Sequence, residues 1–137
     1  MQKQSFKKLF HCTYALQYHL VIVTKYRNKC LNALMLTQLH AICTEQLALK
    51  GGAVLEFNGE ADHLHLLFEL SPKVSLSAVV NSLKTVTSRL LRRDHKEELR
   101  KYYWKPVLWS RSYFVASCGG APLSVIKQYI QQQASPH

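Results

Sequence analysis

Two histidines, His63 and His65, are separated by one leucine in the apolar run DHLHLLFEL, residues 62–70. In a β-strand, residues two apart point to the same face, so the two imidazoles would project together while Leu64 points toward the core. The rise of roughly 3.3 Å per residue places them about 6–7 Å apart, within reach of one divalent metal ion. The other interpretation is a pair of solvent-facing or hydrogen-bonded strand histidines, because a His-x-His pair is a weak motif in a chain with 7 histidines.

A metal held by these histidines needs a further protein ligand, and the acidic residues nearby are Glu60 and Asp62. Strand alternation predicts that Asp62 points to the opposite face. A second pair of candidate groups lies near the end of the chain, where Tyr129 and Gln133 are four residues apart and would share one face of a helix. The alternative is that Tyr129 anchors an amphipathic helix and Gln133 is a solvated residue.

Strands and helices must alternate along the chain to position these residues. The hydrophobic pattern predicts, in order, a strand over 18–26, a helix over 34–50, strands over 53–59 and 61–70, a helix over 75–93, a strand over 109–118 and a terminal helix from Pro122. Asn58-Gly59 is a hairpin turn signal, and Gly119-Gly120 would end the last strand. This order predicts an α+β fold of the ferredoxin-like, or RRM-like, split βαβ type. Its antiparallel sheet would carry helices on one face, with an extra C-terminal helix bearing the tyrosine.

The composition predicts a single domain over residues 1–137 with a polyanionic partner. Lys and Arg number 18 against 8 Asp and Glu, a formal net charge of +10. Nucleic acid is the usual partner of so basic a domain, although a basic surface without a specific partner would have the same composition. Cys12, Cys30, Cys43 and Cys118 form no CxxC pair, which disfavours a thiolate zinc site and fits reduced thiols in a cytoplasmic protein. No apolar run approaches the length of a membrane span.

Several stretches in the same order resemble one known family from about Tyr18 to Gln133. They are YHLVIVTKYRNKCL, DHLHLLFEL, VVNSLKTVTSRLLRR, LWSRSYFVASCGGAPL and VIKQYIQQQ. The chain resembles the single-tyrosine HUH transposases, the TnpA proteins of small bacterial insertion sequences that move as single-stranded DNA. The resemblance implies that the chain is an enzyme, a DNA strand transferase, for excision and insertion of such an element.

The resemblance also implies a role for each matching residue. Tyr129 matches the nucleophile, which would cleave one DNA strand to form a 5′-phosphotyrosine and a free 3′-OH. His63 and His65 match the metal-binding pair, and Gln133 matches the third metal ligand. The implied cofactor is Mg²⁺ or Mn²⁺, without a nucleotide, which agrees with the lack of a P-loop. The implied partners are single-stranded DNA with hairpin ends and a second copy of the chain, whose tyrosine helix commonly acts in trans.

The basic residues are candidates for contacts with DNA phosphates. Those singled out are Lys25, Arg27, Lys29, Lys84, Arg89, Arg92 and Arg93. The stretch KYYWK, residues 101–105, could stack bases, or it could be a partly buried loop with Trp104 as a packing anchor. Two other functions stay open: a domesticated relative that acts on chromosomal repeats, and a non-catalytic single-strand-binding module. Such modules present aromatic residues on the open strands, where this sequence places His63 and His65.

Overall fold

The computed structural model describes residues 7–9, 12–14, 16–118 and 123–133, with side chains over 16–118 and 127–133. The elements are β1 (Lys7–Leu9), β2 (Cys12–Tyr14), β3 (Gln17–Val23), a 3₁₀ turn (Lys25–Arg27), α1 (Ala33–Leu49), β4 (Ala53–Glu60), β5 (His63–Glu69), α2 (Leu76–Asp94), α3 (Lys96–Leu99), β6 (Phe114–Ser117) and α4 (Leu123–Gln132). The predicted order from the first long strand to the terminal helix is confirmed. The β1–β2 pair and α3 were not predicted from the sequence, and the predicted end signals at Gly119-Gly120 and Pro122 lie outside the described residues.

The central sheet has the strand order β4-β5-β3-β6, and each neighbouring pair is antiparallel. This is the ferredoxin-like order, so the predicted fold class is confirmed. In the β3–β5 pair, Val21 lies opposite His65 and Val23 lies opposite His63. Residues directly opposite each other in an antiparallel pair share a face of the sheet, so these four side chains lie together.

The hydrophobic core occupies the other face of the sheet, beneath α1 and α2. Leu64, Leu66 and Phe68 alternate with the two histidines along β5 and are fully buried. Leu39 of α1 and Leu83 of α2 belong to the same cluster. Each buried side chain of this size contributes about 1.5–3 kcal/mol, and a one-residue slip of β5 would exchange leucines for histidines in the core. Core packing therefore fixes the face on which the histidines lie.

The two long helices begin at side-chain caps. The side chain of Asn32 accepts a hydrogen bond from the Met35 amide at 2.9 Å. Ser75, the predicted cap of α2, accepts one from the Ala78 amide at 3.4 Å. Over the described part of the chain, no helix combines the length and the apolar character needed to cross a membrane.

The predicted turn at Asn58-Gly59 is wrong. β4 continues through both residues to Glu60, where Asn58 pairs with His65 and Gly59 with Leu64. A Cβ at Gly59 would lie 2.5 Å from Cδ2 of Leu36, a residue of α1. The glycine therefore permits close packing of α1 on the sheet. Glycine is used both for such close packing and in hairpin turns, so the local sequence does not distinguish the two.

The predicted strand over 109–118 is shorter in the structure. Trp109 makes one isolated bridge with Thr24, and regular pairing with β3 begins only at Phe114. Between them the backbone leaves regular sheet pairing, and the Lys84 ammonium donates hydrogen bonds to the carbonyl oxygens of Ser110 and Arg111, both at 2.9 Å. This segment presents Ser110 and Ser112 to α4.

Candidate active site on the open face of the sheet

The two predicted metal ligands, His63 and His65, lie two residues apart on β5, on the sheet face opposite the core. Both are partly exposed, whereas Leu64 between them is fully buried. Each is paired across β3 with a buried valine, Val23 for His63 and Val21 for His65. The imidazoles therefore lie on a central strand of the sheet, next to the apolar surface of these two valines.

His63 is held by a carboxylate that the sequence analysis placed on the wrong face. The Asp62 Oδ1 atom lies 2.8 Å from Nδ1 of His63. Asp62 belongs to the turn that precedes β5, so strand alternation does not govern its direction. An ionised carboxylate can only accept, so Nδ1 of His63 donates and, in the neutral imidazole, Nε2 keeps the lone pair. This is the arrangement by which carboxylates orient metal-binding histidines.

Arg27 completes this arrangement from the opposite side. Its Nε donates a hydrogen bond to Oδ2 of Asp62 at 2.7 Å. Burial of Asp62 acts to raise the pKa of its carboxyl, but the hydrogen bonds from His63 and Arg27 outweigh burial and hold that pKa below its ordinary value. The carboxyl is therefore ionised at neutral pH, as its role toward His63 requires.

The backbone at Tyr26 and Arg27 is strained. Tyr26 and Arg27 have φ angles of 59° and 53°, in the left-handed region that non-glycine residues rarely adopt. Such residues cost on the order of 1–3 kcal/mol each and persist when their surroundings hold them. Thr24 supplies part of that hold, since its single hydroxyl hydrogen lies between the carbonyl oxygens of Asn28 and Asp62, which are 2.7 and 3.1 Å from Oγ1. The left-handed pair turns the chain so that the Arg27 side chain reaches Asp62.

His65 contacts a third histidine that the sequence analysis did not select. Nδ1 of His19, on β3, lies 2.9 Å from Nε2 of His65. Burial lowers the pKa of His65, and the neighbouring His19 adds to that effect. His65 is therefore neutral at physiological pH, the form in which imidazole binds a metal. Only the β3–β5 register brings His19 here, and no local motif signals it.

Tyr129 lies over the same face of the sheet as the histidines. Its ring contacts Phe114, with centroids 5.5 Å apart, and packs with Ile130 over Val21 and Val23. These valines are the cross-strand partners of His65 and His63. Burial raises the pKa of the Tyr129 phenol, and its hydrogen bond with Ser112 opposes that shift.

Ser112 connects Tyr129 to Gln133. The Tyr129 hydroxyl donates to Oγ of Ser112 at 3.3 Å, and Ser112 donates to Oε1 of Gln133, also at 3.3 Å. Ser110 donates to the same oxygen at 3.4 Å. Within the described residues, neither Tyr129 nor Gln133 hydrogen-bonds to His63 or His65. The structure thus brings the predicted nucleophile and third ligand together with each other, on the face of the histidine pair but without a hydrogen bond to it.

Some of the predicted phosphate-binding side chains already bind other groups of the protein. Arg27 is bound to Asp62, and the half-buried Lys84 is bound to two carbonyl oxygens, where burial lowers its pKa. Arg93 pairs with Asp94 at 2.7 Å on the surface. The others lie at least partly exposed: Lys25, Lys29, Arg89 and Arg92.

The chemistry of the donor set on this face fits a divalent metal ion. His63 has one ring nitrogen directed by a carboxylate and the other left as a ligand, and His65 is neutral on the same strand face, with Nε2 in contact with His19 and Nδ1 as its other nitrogen. Across the described residues, no three His, Cys, Asp or Glu side chains are grouped as a metal site. The amide oxygen of Gln133, the residue that follows α4, is a candidate for a further ligand.

Comparisons with known proteins identify the family of the chain. The family profile described as "Transposase IS200 like" matches residues 12–133. The transposase for insertion sequence element IS200 of Salmonella typhimurium is 30% identical over 127 residues, covering 93% of this chain and 82% of that protein. The ISDra2 transposase TnpA of Deinococcus radiodurans is 28% identical over 120 residues, covering 88% and 85%.

Solved structures share the fold. A crystal structure assigned as a transposase of Deinococcus radiodurans R1 aligns with a TM-score of 0.83 and 27% identity, covering 94% of this chain and 98% of that one. A REP-associated tyrosine transposase bound to a REP hairpin aligns with a TM-score of 0.54 and 10% identity, covering 95% and 67%, a similarity of fold alone. Because the family profile spans nearly the whole chain, this protein belongs to the IS200-like, single-tyrosine HUH transposase family.

Proposed function

We propose that this transposase cuts and rejoins single-stranded DNA with hairpin ends, using Tyr129 as nucleophile beside a metal site at His63 and His65. The observation that carries this proposal is the position of Tyr129, which packs over the two valines that pair with the histidines. A phenol and two imidazoles on one sheet face, on a chain with a net charge of +10, suit the chemistry of a phosphodiester.

The chemistry exchanges one ester for another. The Tyr129 oxygen attacks the scissile phosphorus, the bond from phosphorus to the 3′ oxygen breaks, and the phenolic proton is balanced by a proton gained at the leaving 3′-OH. One phosphodiester replaces another of similar energy, so the step is reversible and requires no nucleotide cofactor. Rejoining is the reverse step, with a DNA 3′-OH as nucleophile.

The neutral phenol needs help to react. Burial raises the pKa of Tyr129, so its hydroxyl is protonated at neutral pH. A divalent ion, Mg²⁺ or Mn²⁺, bound by His63, His65 and Gln133, would polarise the scissile phosphate and neutralise part of its charge. Asp62 and Arg27 contribute indirectly, because they fix the ring of His63 with Nε2 available.

In the described arrangement, α4 is docked on its own sheet through Ser112. Cleavage requires Tyr129 and Gln133 to leave Ser112 and approach a histidine pair. We infer that the working form is a homodimer in which α4 can serve the partner subunit's histidine pair. The contacts that must break are three weak hydrogen bonds between neutral groups, two through Ser112 at 3.3 Å and one from Ser110 at 3.4 Å, and the packing of Tyr129 on Val21 and Val23.

A non-catalytic binding module is less well supported. RNA-recognition modules stack bases on aromatic residues of the open sheet face. Here the central strands carry histidines and valines on that face, and Phe114 of the edge strand is in contact with Tyr129. The open face therefore lacks a free aromatic platform over the described strands.

The test is formation of a covalent adduct with a single-stranded, hairpin-bearing oligonucleotide. We expect wild-type protein and Mn²⁺ to give a denaturation-resistant adduct that Tyr129→Phe abolishes while DNA affinity stays within a few fold. Tyr113→Phe is the matched control, because it removes a neighbouring phenol that does not face the histidines' valine partners. An adduct that persists in Tyr129→Phe, or is lost equally in Tyr113→Phe, contradicts the assignment of the nucleophile.

A further inference from the structure

A cavity of about 490 Å³ lies between the end of α2, α3 and the segment 100–107, on a part of the chain that supplies no residue to the candidate active site. Arg92, Lys96, Arg100 and Lys105 contribute the positive charge of its lining, and Trp104 contributes an aromatic wall. We refer to these five residues as the Trp104 surface. No acidic side chain is among the described residues that line the cavity.

Trp104 is exposed to an unusual degree. Its relative accessible surface is 89%, whereas that of Trp109 is 7% and its indole donates to the Thr87 hydroxyl. Tryptophan is normally buried because of its large apolar area, so an indole left in water suggests a binding partner. The Lys105 ammonium lies 5.0 Å from the centre of the Trp104 ring, which places a positive charge beside the aromatic face.

The packing-anchor role that the sequence left open for Trp104 belongs to its neighbour. Tyr103 is buried, and its hydroxyl donates to the carbonyl oxygen of Lys25 at 2.7 Å. The Cys30 thiol lies 3.9 Å from the same hydroxyl. Tyr103 therefore fixes the segment to the body of the protein, and the Trp104 ring remains free to contact a ligand.

The chemistry of the Trp104 surface fits one class of ligand. A flat exposed indole offers stacking to a nucleobase, and stacking requires a base whose face is open. Four cationic side chains line the same cavity and could contact phosphates. One of them, Arg100, forms an ion pair with Glu97 at 3.1 Å, outside the cavity, which leaves three for phosphate contacts. Paired bases in a duplex hide their faces, so this chemistry selects an unpaired strand, which for a DNA transposase is single-stranded DNA.

We propose that the Trp104 surface is a subsite for unpaired bases of single-stranded DNA, with Trp104 as stacking platform and Arg92, Lys96 and Lys105 as phosphate contacts. The proposal rests on the proposed function and adds a binding site separate from the histidine pair. Its location suits a strand that continues to the active site. A second cavity of about 190 Å³, lined by Lys25, Tyr26 and Trp104, adjoins it, and the next residue, Arg27, is bound to Asp62 beside His63.

The first test measures the affinity of the full-length protein for a labelled oligothymidylate by fluorescence anisotropy. We expect Trp104→Ala to weaken binding by about 5- to 100-fold, as for loss of a base-stacking residue, and Trp104→Phe to retain part of the affinity. Leu49→Ala is the control for loss of an exposed apolar side chain, since Leu49 lies at the end of α1 and is similarly exposed. Affinity for a blunt duplex of the same length should change less than twofold.

A second measurement reports contact with the indole directly. The chain has 2 tryptophans, and Trp109 is buried. Oligothymidylate should quench the wild-type fluorescence, and Trp104→Phe, which retains only Trp109, should show no quenching on binding. The Trp109 emission of this variant also verifies that the protein is folded.

The phosphate contacts are tested through the salt dependence of binding. Arg92→Ala should lower the slope of log affinity against log salt by about 0.7, the value for one phosphate of a single strand. Lys50→Ala is the control, because it removes the same charge far from the Trp104 surface. Lys50 follows the last residue of α1, about 18 Å along the helix from Gln38. Gln38 marks the end of α1 near the Trp104 surface, since it contacts Asp94 beside α3. Lys50→Ala should leave the slope unchanged.

Two outcomes distinguish this proposal from the proposed function. If Trp104→Ala binds oligothymidylate as tightly as wild type while the wild type forms the Tyr129 adduct, the subsite is wrong and the transposition chemistry stands. If wild type binds no single-stranded oligonucleotide and forms no adduct, both are wrong. A loss of affinity for duplex equal to that for single strands would also overturn the assignment to unpaired bases.

Discussion

The carboxylate of Asp62 accepts a hydrogen bond from Nδ1 of His63 at 2.8 Å, while its other oxygen accepts one from Arg27 at 2.7 Å. This single relationship decides which nitrogen of His63 can act as a ligand. It also links the strained turn at Tyr26 and Arg27 to the candidate metal site, because the Arg27 side chain leaves this turn and donates to that carboxylate.

Asp62→Asn should weaken metal binding. An amide can donate as well as accept, so His63 is no longer held in the form that has Nε2 free, and Arg27 loses its ion pair. Loss of a group that orients a metal-binding histidine typically costs about 10- to 100-fold in metal affinity. Calorimetric titration of Mn²⁺ into the full-length protein measures the change.

Asp94→Asn is the matched control for that experiment. Asp94 also pairs with an arginine, Arg93, but it lies at the end of α2 on the surface. Its replacement should leave Mn²⁺ affinity within twofold of wild type. An unchanged affinity in Asp62→Asn would show that the carboxylate does not orient a metal ligand.

Metal binding should raise the thermal stability of the protein, by an amount that grows with the logarithm of the metal concentration above Kd. A ligand at 100 times its Kd adds about 2.7 kcal/mol to the free energy of unfolding, because it binds only the folded state. We expect Mn²⁺ to raise Tm, chelator to reverse the shift, and His63→Ala and His65→Ala to remove it. His40→Ala is the control, since His40 stacks on Phe57 at 4.7 Å and belongs to another surface. A metal-dependent shift that survives in both histidine variants would place the site elsewhere.

Chelation should also separate DNA binding from cleavage. The Trp104 surface and the other cations do not depend on the metal, so DNA affinity should persist in chelator while the covalent adduct disappears. Gel analysis of adduct and anisotropy of the same oligonucleotide measure the two quantities side by side. Undiminished adduct in chelator contradicts a metal role for the histidine pair.

Gly59→Ala tests the corrected position of the β4–β5 turn. An alanine Cβ at this position meets Cδ2 of Leu36, so the substitution should cost about 1–3 kcal/mol of unfolding free energy. In a Leu36→Ala background the added methyl has room, and the two substitutions should couple by about 0.5–3 kcal/mol in a urea-unfolding cycle. A glycine needed for a turn conformation would instead cost the same in both backgrounds.

The order of strands and helices from β3 to β6 could be predicted from the sequence, because core burial and strand alternation are local patterns. The alternating buried residues Leu64, Leu66 and Phe68 of β5 are an example. The sequence also predicted which residues of β5 share a face for the same reason. It missed Asp62 and His19, because their contacts depend on a turn direction and on the pairing register of two distant strands. It misplaced the turn at Asn58-Gly59, because a glycine needed for helix packing and one needed for a turn look alike in sequence.

Ser112→Ala should loosen α4 from the sheet. The Ser112 hydroxyl accepts from Tyr129 and donates to Gln133, so one substitution removes two of the hydrogen bonds that dock the helix. Each is worth about 0.5–1.5 kcal/mol, which corresponds to roughly 2- to 12-fold faster opening per bond. Hydrogen exchange of α4 amides, followed by mass spectrometry, should therefore accelerate while exchange in β5 stays unchanged. Ser110→Ala removes one bond to Gln133 and none to Tyr129, so it should have a smaller effect. Equal exchange in wild type and Ser112→Ala would mean that packing of Tyr129 on Val21 and Val23 alone holds the helix, and that release of the nucleophile is governed by that apolar contact.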